Sequence, residues 1–117
     1  MFTAVVTVKT RRPIFPPLEN VSVPLARIIA KAFELALRSK KPFEPEMVEV
    51  IFCDNAKLEK GTIVALVIDV LLQEEDKGLN LEAVRETIAG TLHQSGLFRP
   101  RYTPGDVLIE IRDLAHA

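Results

Sequence analysis

Thr62-Ile63-Val64-Ala65-Leu66-Val67-Ile68-Asp69-Val70-Leu71-Leu72 is the stretch on which the fold turns. Its apolar positions satisfy a helix as well as a strand. Thr62, Ile63, Val64, Val67, Ile68 and Val70 are β-branched, however, and such side chains lose rotamer freedom in a helix and pack well on a sheet. The stretch therefore reads as a strand, apolar on both faces and so central. A helical 62–72 is the alternative, and it would dissolve the grouping of loops derived below.

Working outward, Met47–Cys53 alternates Val48, Val50 and Phe52 against Met47, Glu49, Ile51 and Cys53, and reads as a strand. Phe2–Lys9 alternates in the same way, with Phe2, Ala4, Val6 and Val8 on one face. Between these two strands Leu25, Ile28, Ile29, Ala32, Phe33, Ala36 and Leu37 recur at helical spacing, opposite Arg27, Lys31, Glu34 and Arg38. Ser22-Val23-Pro24 supplies the helix start, with Pro24 at the first helical position, and Lys40-Lys41-Pro42 supplies the stop. After the central strand, Glu74-Glu75-Asp76 reads as a solvated turn. Asn80 then caps a second helix, with Leu79 and Val84 as its hydrophobic staple. That helix carries a stripe of Leu81, Val84, Ile88 and Leu92 and stops at Gly96. Val107–Leu114 is the last strand.

The order β-α-β-β-α-β over residues 1–117 predicts a single α+β domain. Its simplest arrangement is a ferredoxin-like sandwich, an antiparallel sheet with both helices on one face. Composition bounds what such a domain does. With 15 basic and 16 acidic residues, it lacks the positive field a dedicated nucleic-acid binder uses. An RNA-binding sheet is a further alternative, but the first two strands lack the basic-aromatic pattern which base stacking needs. At 48% hydrophobic residues, a chain of 117 carries more apolar side chain than so small a core can hide, which predicts a homo-oligomer. One cysteine and two histidines permit neither an intrachain disulfide nor a Cys/His zinc site, and no motif calls for a cofactor. Arg11-Arg12 follows the short apolar start instead of preceding it, the reverse of a signal peptide, and the run from Ile63 to Leu72 is about half a membrane span. A cytoplasmic location without membrane attachment is the expectation.

In the expected topology the loop after strand one, the connection between strands two and three, and the loop before strand four share one rim. They bring Arg11, Arg12 and Phe15 together with Asp54, Asn55 and Lys57, and with Arg99, Arg101 and Tyr102. The first helix also points its N-terminus there. Arginine forks bind carboxylate and phosphate in bidentate fashion, so Arg11, Arg12, Arg99, Arg101 and Tyr102 form a candidate site for a small anionic ligand or a protein partner. Ile14 and Phe15, set among Pro13, Pro16 and Pro17, read as a segment packed on its own chain or on a sister subunit.

Asp69, an acid within an apolar strand, is a candidate buried carboxylate. It either pairs with Arg112 or Lys9 on the outer sheet face or serves as a general acid or base. Cys53 reads as a small core residue, His93 as a surface or capping residue, and Gly90 as a point of close approach to the sheet or to another chain.

Leu108-Ile109-Glu110-Ile111-Arg112-Asp113 resembles the closing strand of some tautomerase-like isomerases. The resemblance implies an oligomeric assembly of β-α-β units as the alternative architecture, and a small isomerase with a site at a subunit interface as the alternative function. Those enzymes use an N-terminal proline as base, where this chain has Met1-Phe2, so their chemistry is not implied with the fold.

Overall fold

The computed structural model describes residues 3–10, 18–37, 42–53, 56–58, 60–62, 64–76, 78–97 and 107–114. Strand β1 is Ala4–Thr10, helix α1 Leu18–Ala36, β2 Val48–Cys53, β3 Val64–Val70, α2 Leu81–Ser95 and β4 Val107–Asp113. Val64–Val70 of the pivotal stretch is thus a strand, buried on both faces except at Asp69. Central placement accounts for that burial, because β1 and β4 flank it.

The four strands lie in the order β2-β1-β3-β4. β1 pairs parallel with β2, β3 parallel with β4, and β1 antiparallel with β3. The sheet is therefore mixed, which corrects the antiparallel ferredoxin-like sheet and agrees with the alternative β-α-β arrangement. Strand directions are as expected; the edges taken by β2 and β4 are exchanged. The connection over residues 54–63 permits this, being longer than the two- to five-residue loop of a common hairpin. It passes the end of β1 on its way to β3, and the Ala56 N–H donates to the Thr10 carbonyl at 2.8 Å.

The core lies between one face of the sheet and the two helices. Val6, Val8, Val64, Leu66, Ile68 and Val70 line the sheet side, while Val21, Leu25, Ile29 and Phe33 of α1 and Ile88 of α2 close over it, all fully enclosed. Phe33 stacks on Phe43 with ring centroids 5.2 Å apart, pinning the segment after α1 beneath the helix.

Helix α1 begins at Leu18, six residues before the proline taken as its start, and Pro24 lies inside it. Proline there removes one N–H bond to the preceding turn. Continuing the helix back through position 21 keeps Val21 in the core one turn before Leu25, and that burial offsets the lost bond. The helix ends at Ala36, earlier than the Lys40-Lys41 stop, which lies outside the described residues.

Helix α2 follows its sequence signals closely. The Ala83 N–H donates to Asn80 Oδ1 at 3.1 Å, and Gly96 takes the left-handed conformation at φ 66° that ends the helix. Gly90 is exposed, and a Cβ built on it would meet nothing within 4 Å, so it marks no close approach to the sheet. No helix among the described residues is long and apolar enough to cross a membrane.

Candidate functional site

The pairing register sets four strand ends beside one another. Thr10, the last residue of β1, lies opposite Val64, the first of β3, and Val64 lies opposite Val107, the first of β4. Cys53, the last of β2, lies opposite Lys9. The chain therefore leaves β1 and β2, and enters β3 and β4, along one edge. Thr10 is buried there, and Lys57 is exposed in the connection that passes it. Arg11, Arg12, Phe15, Asp54, Asn55, Arg99, Arg101 and Tyr102 lie outside the described residues.

The face of the sheet turned away from the helices bears rows of facing residues. One row is Glu49, Val5, Asp69 and Arg112, and the next is Ile51, Thr7, Val67 and Glu110. Asp69 and Arg112 are direct cross-strand neighbours joined by two hydrogen bonds. Arg112 Nε donates to Asp69 Oδ1 at 2.7 Å and Nη2 to Oδ2 at 3.0 Å. This bidentate pair engages both carboxylate oxygens, so Asp69 takes the paired role of the two expected for it. The hydrogen bond to Asp69, aided by its charge, holds the Arg112 guanidinium above its ordinary pKa. Around the pair the face is mixed: Ala65 and Val67 are buried between neighbouring strands and Ile51 and Leu108 are exposed, while Glu49, Lys9 and Glu110 add charge.

Asp76 departs from expectation. It is 2% exposed, so the run Glu74-Glu75-Asp76 is not a uniformly solvated turn. A short 3-10 turn, Glu74–Asp76, folds it inward, closed by the Asp76 N–H to the Gln73 carbonyl and the Leu79 N–H to the Asp76 carbonyl, both at 3.0 Å. A hollow of about 250 Å³ lies there, at the opposite end of the sheet from the four strand ends, lined by Thr3, Leu37, Phe43, Met47, Leu71 and Asp76 among others. Three successive acids read as solvated charge, and nothing in the run marks Asp76 as the member that turns inward.

Cys53 is exposed at the end of β2 instead of lying in the core. Its position in the alternation gives the reason, since Val50 and Phe52 take the inward places. His93 is exposed in the last turn of α2. Among the described residues no group of three or more His, Cys, Asp or Glu is placed to hold a metal ion.

No protein-family model matches the sequence, and no curated protein is similar to it. Solved structures do resemble the fold. A fused 4-OT wild-type asymmetric trimer, F6, superposes with a TM-score of 0.61 at 13% identity over 94% of this chain and 85% of its own. A macrophage migration inhibitory factor-like protein from Entamoeba histolytica gives 0.56 at 15% identity over 95% and 86%. The protein Pt0534, solved after inactivation by 2-oxo-3-pentynoate, gives 0.55 at 16% identity over 94% and 85%. The fold is accordingly the tautomerase-like and migration-inhibitory-factor-like β-α-β fold.

Proposed function

We propose that the chain is a homo-oligomeric single domain that binds a small anionic ligand, a carboxylate or phosphate, at the edge where its four strand ends meet. The adjacency of Thr10, Cys53, Val64 and Val107 carries this reading. Arg11 and Arg12 follow Thr10 directly in the chain, and Arg99 and Arg101 shortly precede Val107. Four guanidinium groups tethered to neighbouring strand ends, near the positive N-terminal end of α1, suit an anion better than any other small ligand. The open sheet face, where Ile51 and Leu108 stand exposed among charged residues, suits the subunit contact, and one structure of the same fold is a trimer.

Thermal-shift measurement against phosphates, carboxylates, nucleotides and short RNAs tests the reading, with the Arg11→Ala/Arg12→Ala variant alongside. A ligand present at a hundred times its dissociation constant adds about 2.7 kcal/mol of stability. A shift that vanishes in the double variant supports the site, and no shift with any compound removes it. Light scattering on Leu108→Glu tests the sheet contact, with a fall in molar mass expected.

A small isomerase with its site at a subunit interface is the second reading. It draws on the inactivation of Pt0534 by 2-oxo-3-pentynoate, an acetylenic 2-oxo acid. Mass spectrometry after incubation with that compound decides between the two. A stoichiometric adduct on a residue other than the exposed thiol of Cys53 favours the isomerase, while a chain unmodified elsewhere that still shows the arginine-dependent shift favours binding alone.

A further inference from the structure

The two helices leave an apolar groove on the surface away from the sheet. Because α1 returns the chain from β1 to β2, α2 returns it from β3 to β4, and the two halves run in opposite senses, α1 and α2 are antiparallel. Two hollows share Ala32 along their seam. One, of about 490 Å³, extends over the outer side of α1 from Phe43 and Pro45 to Thr91 of α2, with Ile28 and Lys31 between them. The other, of about 340 Å³, sets Leu35 near Ala83 and Thr87.

The α2 side of the groove is apolar in spite of its threonines. Thr87 Oγ1 donates to the Ala83 carbonyl at 3.0 Å and Thr91 Oγ1 to the Thr87 carbonyl at 2.9 Å, so both hydroxyls are satisfied within the helix. Beside them, nothing in its own chain requires Gly90 to be glycine, although a glycine inside a helix costs about 1 kcal/mol against alanine. On the α1 side Leu35 is 71% exposed, well above any other large apolar residue among those described.

Charge indicates what covers the groove. Using the two hollows as rungs, Lys31 stands within a turn of Glu86 in height along the layer. A two-fold axis lying along the groove preserves these heights while laying α1 of one copy over α2 of another. Lys31 then meets Glu86, Leu35 enters the hollow at Ala83 and Thr87, and the Lys31 stem crosses Gly90. Each contact recurs in reverse, as an isologous interface requires.

We infer that the helix layer is a second self-association surface, on which two copies of this chain pack α1 against α2 about a two-fold axis. It is separate from the open sheet face, so an assembly built on the sheet is doubled through the helices.

Light scattering of the full chain after size exclusion tests this, with Thr87→Arg, Lys31→Glu, and Lys31→Glu combined with Glu86→Lys. All three positions are exposed and the new residues are good helix formers, so far-UV circular dichroism is expected to be unchanged. Thr87→Arg is expected to halve the molar mass. Lys31→Glu is expected to lower it, and the charge-reversed pair to restore it. A monomeric wild type, an unchanged mass for Thr87→Arg, or a charge-reversed pair no heavier than Lys31→Glu overturns the inference. A mass that falls only with Leu108→Glu also overturns it, while leaving the sheet contact standing.

Discussion

Replacing Phe33 by alanine tests whether the segment after α1 is held as described. Phe33 is fully enclosed and Phe43 is 2% exposed, with the rings stacked at 5.2 Å and 16°. Truncating an enclosed phenylalanine costs about 3–5 kcal/mol, combining lost transfer energy with the cavity left behind. Each single substitution is expected in that range, against a total stability of about 5–15 kcal/mol for a domain of this size. The stack itself contributes about 1 kcal/mol beyond area burial. Removing both rings should therefore cost about 1 kcal/mol less than the sum of the two single losses. Urea unfolding followed by far-UV circular dichroism reads all four proteins, at one protein concentration because the midpoint of an assembled chain moves with concentration. A loss below about 1.5 kcal/mol for Phe33→Ala would place that ring outside the packed core. Losses that simply add would show that the two rings do not support each other.

Asn80→Ala removes the acceptor of the Ala83 N–H and should cost about 1 kcal/mol in the same assay, with Asn80→Asp close to wild type. Gly90→Ala should stabilise a monomeric variant such as Thr87→Arg by about 0.5–1 kcal/mol, because the added methyl meets nothing in its own chain. In the assembled wild type the same change should weaken association, read as a mass that falls on dilution. The Glu82 carboxyl, hydrogen-bonded by Arg85, should titrate below its ordinary 4.5 in an NMR experiment and rise toward that value in Arg85→Ala. Since its folded pKa is the lower one, its contribution to stability is present above the ordinary carboxylate range and is lost as pH falls through the folded value.

Most elements were legible because side-chain period and local chemistry agree. β1 and β4 alternate apart from Val5 and Leu108, and α2 has a cap, a stripe and a stop at the positions its sequence indicates. The β-branched residues of 62–72 outweighed their helical spacing, as they should in a strand enclosed on both faces. The sheet order was harder to read, because β2 and β4 alternate in the same way whichever edge they occupy. The available clue was the length of 54–63, since a connection that long need not join adjacent strands. Pro24 misled because proline usually opens a helix, whereas here the burial of Val21 carries the helix six residues further back. Of the candidate site, the convergence of strand ends followed from topology alone and survives the exchange of edges. The Asp69–Arg112 pair was one of two partnerships open to Asp69, and register selected it over Lys9. Asp76 was hidden because a run of acids carries no mark of which member turns inward.

The outward placement of β2 and β4 bears on how the chain could be rewired. Ala4 lies opposite Val70 and Val70 opposite Asp113, so the first and last residues of the sheet are two strand spacings apart, about 10 Å. A short linker from Asp113 to Ala4, with an opening at the exposed turn around Lys60 and Gly61, would yield β3-α2-β4-β1-α1-β2 with every strand pairing kept. Each half carries its own helix and its own parallel pair, and the halves meet along the antiparallel seam of β1 and β3. Circular permutation at that turn therefore exchanges which half is synthesised first without altering what the finished sheet contains.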